Sequence, residues 1–387
     1  MYHPIQKSIF DAYNRYRPDG PKAQFCYVPY NNLFFTFNGK VITCPYNQKV
    51  VVGQYPNNTI QEMWESKPIK KLRDHLQNND LSNGCEHCKH YLENGKFSGL
   101  KPQVFDKYSD VQSDQMPKVF EFSLENTCNL ECIMCSGEVS SSIRQNRDKL
   151  PPIVSPYDDK FIEQLLPFIP HLKEAKFYGG EPFMIPIYFK IWDKIFELNK
   201  DIRLFVITNG TKLNSNIKSV LERQKFEIAV SIDGVTDATY NSIRGNANFS
   251  KVKENLEYYN QYCLNNGYPL TISFTAMRNN WRELPKMVEW CQQLKAHIYI
   301  SYVHKPYNLA LWNLSPDEIE KIIAELKKPE SINLTRGKSF NRIAYQDFIT
   351  YLESCMAKNS GKERTIKKNI RGYRLYLRIM DFIRDRV

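Results

Sequence analysis

Apolar residues along this chain follow two rhythms. One is a set of short strand-like runs: Lys118–Ser123 (KVFEFS), Glu174–Tyr178, Arg203–Thr208 (RLFVIT), Phe226–Ile232 (FEIAVSI), Leu270–Ala276 (LTISFTA) and His297–Tyr302 (HIYISY). The other is a helical spacing in the stretches between them, as in PIYFKIWDKIFELNK and KVKENLEYYNQYC. Side chains two apart share a strand face, and those three or four apart share a helix face. Six strands alternating with helices predict a parallel α/β sheet, open or partly closed into a barrel. In such folds ligands bind beyond the C-terminal ends of the strands. The strand ends lead here into a cysteine-rich loop, GGEP, NGT, DG and MRNN, so an active site is expected where these loops gather.

The flanks break the pattern. NNLFFTFNGKVITCPYN reads as two strands joined at Asn38-Gly39, a dipeptide suited to the positive φ of a tight hairpin turn, and a helix over Thr59–Gln77 follows. A module of roughly 80 residues with few long apolar runs gains from a metal staple. Beyond residue 311 the pattern is helical. Ser315-Pro316-Asp317-Glu318 is a capping box with proline in the first turn, and Ile319, Ile322, Ile323 and Leu326 form one apolar stripe. The expected segments are 1–110, a small cysteine-rich α+β module; 117–310, the α/β core; and 311–387, a helical basic extension.

The 387 residues allow two or three domains at roughly 150 residues each, and a hydrophobic fraction of 42% excludes a disordered chain. No run of about 18 apolar residues occurs, so no membrane-spanning helix is expected. The N-terminus, MYHPIQKSIFDAYNRYRPDG, lacks the apolar region of a secretory signal. The expectation is a cytoplasmic protein, whose reduced thiols more often hold metal than form disulfides. The net charge is +11, and residues 361–387 alone carry nine Lys/Arg against three Asp/Glu. That segment is either a solvated basic face or a dock for an acidic partner: nucleic acid, an acidic peptide or an electron carrier.

The ten cysteines fall into groups. Cys128, Cys132 and Cys135 stand at C-x3-C-x2-C in TCNLECIMC. Three thiolates so close together can hold three irons of a cubane [4Fe–4S] cluster and leave the fourth open. The alternative is zinc completed by a distant residue, although zinc sites usually separate two cysteine pairs. Cys26, Cys44, Cys85 and Cys88 form the second group, with His87 and His90 as possible substitute ligands. A structural zinc site on the same four thiolates is the competing reading, because spacing alone cannot separate the metals. Cys263, Cys291 and Cys355 stand alone and read as small buried hydrophobes.

C-x3-C-x2-C after a first strand resembles the radical S-adenosylmethionine (radical SAM) superfamily. Gly179-Gly180-Glu181-Pro182 after the second strand resembles its GGE motif, Thr208-Asn209-Gly210 follows the third, and Ser231-Ile232-Asp233-Gly234 resembles its SxDG segment after the fourth. The resemblance spans roughly residues 117–305. It implies a partial (β/α)6 TIM-like barrel of the radical SAM type, with SAM on the open iron held by Cys128, Cys132 and Cys135. It implies SAM contacts at Gly179, Gly180, Glu181 and Pro182 (methionine amino group), Asn209, and Ser231 and Asp233 (ribose). Met134 stands where the family often has an aromatic residue near the adenine, and Arg244 is either a partner of the SAM carboxylate or a surface arginine.

Cys26, Gly39-x4-Cys44 and Cys85-x2-Cys88 resemble the auxiliary-cluster modules called SPASM and Twitch. In well-known members the module follows the barrel, whereas here it precedes it. Four cysteines permit one fully ligated second [4Fe–4S] cluster. The resemblance implies one-electron cleavage of SAM to a 5′-deoxyadenosyl radical that abstracts hydrogen from a peptide or protein substrate. Alternatives are a small metabolite or RNA. It also implies a flavodoxin- or ferredoxin-type reductant. No catalytic acid or base is assigned.

Overall fold

The computed structural model describes residues 2–95, 97, 100–111, 116–328 and 340–360, so the basic segment 361–387 lies outside the described residues. It is a mostly parallel α/β protein with a helical C-terminal region. Its described residues form two compact units: those within 2–127, 151–206 and 216–226, and those within 128–150, 207–215 and 227–360.

In the first unit, β1 (Asn32–Thr36), β2 (Lys40–Cys44) and β3 (Asn47–Gln54) form an antiparallel meander. Gly39, at φ +82°, makes the expected turn between β1 and β2. β3 extends the predicted hairpin by one strand, because VVVG supplies β-branched residues directly after the Cys44 turn. The predicted helix 59–77 is two helices, Ile60–Trp64 and Lys67–Gln77. Pro68, which has no N–H to donate, opens the second. β1 also pairs in parallel with β4 (Val119–Ser123), residue for residue from Asn32↔Val119 to Thr36↔Ser123. The sheet therefore runs through the change of pattern near residue 110. A two-residue strand in the second unit, β5 (Glu131–Cys132), follows in sequence. Back in the first unit, β4 pairs with β6 (Glu174–Phe177), which pairs with β7 (Arg203–Thr208). Phe35, Phe120, Phe122, Phe161, Phe177 and Trp192 fill this unit's core at 1% exposure or less.

In the second unit, β10 (Thr271–Ala276) lies parallel between β8 (Phe226–Ser231) and β11 (His297–Tyr302). β5 pairs antiparallel with β9 (Arg244–Gly245), setting Cys132 opposite Arg244. Helix 316–326 carries the expected capping box, with the Ser315 hydroxyl accepting from Glu318 N and the Glu318 carboxylate accepting from Ser315 N at 2.9 Å. Its stripe of Ile319, Ile322, Ile323 and Leu326 is buried. Helix 340–359 packs on it and on β11, where the Asn341 amide accepts from Ile298 N and donates to Ala296 O, each at 2.9 Å. No helix among the described residues is long and apolar enough to cross a membrane.

Candidate cluster and cofactor sites

The C-x3-C-x2-C loop is fixed mainly through its backbone. Ser140 N-caps the short helix 141–146 and donates its hydroxyl to Leu130 O at 2.7 Å. The Ser141 hydroxyl accepts from Cys128 N at 3.0 Å, and the Ser142 hydroxyl donates to Cys128 O at 2.8 Å. Cys135 N donates to Cys132 O at 3.0 Å, closing a turn between the second and third cysteines. Arg147 donates to Cys135 O at 2.6 Å. None of these serine or arginine contacts was legible in the sequence, since the residues lie well beyond the motif.

The three thiols differ in surroundings. Cys128 Sγ stands 3.9 Å from the Asn209 amide, which also donates to Asn129 Oδ1 at 3.1 Å. Cys132 is buried and lies 3.9 Å from Nη1 of Arg244. Burial pushes the Cys132 thiol up to about 11 despite the opposing pull of Arg244, while Cys135 and Cys128 add repulsion. Burial raises Cys135 as well. Deprotonating such a cluster of thiols needs positive charge beside the sulfurs, and iron ligation supplies it.

Arg244 is buried, so the surface-arginine reading does not hold. Its Nη2 pairs with Asp233 Oδ2 at 2.6 Å, and Asp233 Oδ1 accepts from Thr275 N at 2.6 Å. Burial alone works against the Arg244 charge, but Asp233 outweighs it and the guanidinium is held more strongly protonated than usual. Burial in turn raises Asp233 despite Arg244. Arg244 Nε has no hydrogen-bond partner among the described residues. Asp233 is thus committed to an internal ion pair. Ser231 ends β8 and is half-buried opposite Ser273. Met134, also half-buried, packs against Ile243, Met277, Val303, Leu309 and Ala310.

In the first unit, GGEP is tied to the segment that leads into Cys128. Gly180 N donates to Glu125 O at 3.1 Å and Glu181 N to Thr127 O at 2.7 Å. Gly179 has φ +105°, and a Cβ on Gly180 would fall on the Thr127 carbonyl. Only glycine permits this approach. Glu181 is fully buried and its carboxylate accepts from Phe183 N at 3.2 Å, with Pro182 buried beside it.

Cys26, Cys44, Cys85 and Cys88 line one largely apolar cavity, together with Phe25, Val28, Leu72, Leu76 and Pro102. Cys44 ends β2, and Cys85 precedes helix 86–93, which places Cys88 one turn on. Burial raises all four thiols, Cys85 to about 12, and the sulfurs reinforce one another. Lys101, which salt-bridges Glu121 at 2.9 Å, works in the opposite direction on Cys44. Among the described residues no three His, Cys, Asp or Glu converge on a single-ion point. His87 stacks on Tyr46 and lies tilted against Tyr91, each with ring centres 4.6 Å away, His90 contacts Asn94, and neither lines the cavity. Cys263, Cys291 and Cys355 are buried singly, as expected.

Residues 123–291 match the Radical SAM superfamily model, and residues 26–89 match the iron–sulfur cluster-binding SPASM domain. A probable GTP 3',8-cyclase of Methanococcus maripaludis is 27% identical over 228 residues, 58% of this chain and 72% of the relative. An AdoMet-dependent heme synthase of Methanosarcina barkeri is 25% identical over 260 residues, 65% of this chain and 68% of the relative. Among solved structures, native anSMEcpe with bound AdoMet aligns at TM-score 0.41 and 22% identity over 53% of this chain and 57% of that one. Streptococcus suis SuiB bound to S-adenosylmethionine aligns at TM-score 0.42 and 14% identity over 72% and 62%. The chain spans about three fifths of the length of the solved chains it matches.

Proposed function

We propose, for a chain that belongs to the radical SAM superfamily and carries a SPASM domain ahead of its radical SAM core, that it abstracts hydrogen from a carbon of a peptide or protein substrate. The radical SAM domain implies a [4Fe–4S] cluster and SAM, and the SPASM domain implies auxiliary iron–sulfur ligation. When bound, the cluster of the radical SAM core would supply the one electron that cleaves SAM to a 5′-deoxyadenosyl radical and methionine.

The observation that carries the radical chemistry in this proposal is the donor set: three thiols on one clamped loop with Arg244 behind Cys132, and four more lining one cavity. In this reading Cys128, Cys132 and Cys135 hold the SAM cluster. Gly179, Gly180, Glu181 and Pro182 receive the methionine amino group, and Asn209 and Ser231 orient the rest of the cofactor beside Met134. Asp233 acts through Arg244, whose spare Nε–H is a donor for the SAM carboxylate. Cys26, Cys44, Cys85 and Cys88 hold one auxiliary cluster. The SPASM match over residues 26–89 favours an iron–sulfur core there over a single zinc, and the four thiols that line the cavity supply one ligand for each iron of a cubane.

A second reading, a small-molecule substrate, is favoured by the names of the curated relatives, a GTP cyclase and a heme synthase. The test is to incubate anaerobically reconstituted protein with SAM, dithionite and deuterated candidate substrates. Deuterium in 5′-deoxyadenosine from a peptide supports the first reading and from a metabolite the second. Absence of 5′-deoxyadenosine under every condition overturns both.

A further inference from the structure

We propose that Asn47 tunes the reduction potential of the auxiliary cluster by hydrogen-bonding the Cys85 sulfur. Asn47 opens β3 directly after the turn that carries Cys44, and the two are register partners. Its side chain crosses to the other cysteine segment, where Nδ2 donates to Asn83 O at 2.9 Å and lies 3.4 Å from Cys85 Sγ. Its Oδ1 accepts from Val50 N at 3.2 Å. A backbone carbonyl on one end and a backbone N–H on the other fix which end of the amide faces the sulfur, so the donor is set by chemistry. Asn47 is 3% exposed. Gly84, at φ +80°, bends the chain so tightly that a Cβ there would fall on the Asn47 side chain.

Hydrogen bonds to cluster sulfurs stabilise the reduced, more negative state and raise the potential. The donors that face Cys26 (Val28 N) and Cys44 (Tyr46 N and Asn47 N) are backbone groups, which side-chain substitution does not delete. Asn47 Nδ2 is a side-chain donor, so this corner of the cavity is where sequence can set the potential. The proposal rests on iron–sulfur ligation in that cavity, which metal content reports independently of potential.

The test uses the full chain with Cys128, Cys132 and Cys135 changed to Ala, so that only the auxiliary cluster titrates, followed by EPR. Asn47→Asp keeps the size and the Oδ1 acceptor but lacks the N–H, and Asn47→Ala removes the donor without adding charge. Expected is a lower midpoint in both, with Asn47→Asp reduced at least tenfold less favourably, about 59 mV for one electron. Iron-replete variants that titrate at the unsubstituted midpoint overturn the proposal. Loss of the cluster from Asn47→Asp overturns it too, by making Asn47 a clamp for the fold. Zinc in place of iron in the unsubstituted chain removes the auxiliary cluster itself, and the role of Asn47 with it.

Discussion

A buried guanidinium needs counter-charge, and Arg244 has Asp233 at 2.6 Å and Cys132 at 3.9 Å. Removing one partner strands the other, which costs more than removing both. Arg244→Ala is expected to destabilise the protein by about 3–5 kcal/mol. Asp233→Ala should also destabilise it, and the double variant should cost less than the sum, by urea unfolding of all three. Gly180→Ala pushes a methyl group into the Thr127 carbonyl, one residue before Cys128. The expected result is a loss of about 1–3 kcal/mol. In loaded protein, the EPR change on adding SAM should be lost while the cluster remains.

At the scale of elements, helix 340–359 secures β11 through the Asn341 amide and through His297, whose ring stacks on Phe340 at 4.1 Å. Burial holds His297 down to about 4, below the ordinary value near 6.5. Above about pH 6.5 the ring is neutral in folded and unfolded chains alike, so its contribution is fully present there. As pH falls toward 4 the unfolded chain takes up a proton that the folded chain resists, and stability is lost. One unit below the ordinary value, at about pH 5.5, the loss is about 1.4 kcal/mol. His297→Gln should flatten this part of the pH dependence in metal-free protein, as read from urea midpoints at about pH 7.5 and 5.5. The strands themselves were legible, since RLFVIT and HIYISY begin and end where the sequence placed them. The break at Pro68 and the third strand, β3, were less so. A helical period continues across a proline, and a run as short as VVVG fits either strand or loop until a neighbour pairs with it.

At the scale of the whole molecule, the two cysteine groups should load independently. Changing Cys128, Cys132 and Cys135 to Ala should lower iron from about eight to about four per chain and abolish 5′-deoxyadenosine formation, while leaving the auxiliary chromophore. Changing Cys44 and Cys85 to Ala should do more than remove iron. β1 and β2 continue the sheet of β4, so loosening the cavity behind β2 removes support from a strand of the core. The expected outcome is a lower melting temperature as well as half the iron, by calorimetry of the anaerobic protein.

The amino-acid order alone determined which atoms are available: seven cysteines in two spaced groups, glycines where the backbone must approach closely, and strand-like runs leading into each motif. Such properties are local, because a ligand spacing or a turn is set within a few residues. Only the tertiary structure decided what surrounds those atoms. It buried Arg244 behind Cys132, turned Asp233 inward, carried the Asn47 amide to Cys85 and joined β1 to β4. Residues separated by 38 to 112 positions meet in the two sulfur contacts, and their strength depends on burial and orientation. Those quantities exist only once the chain has folded.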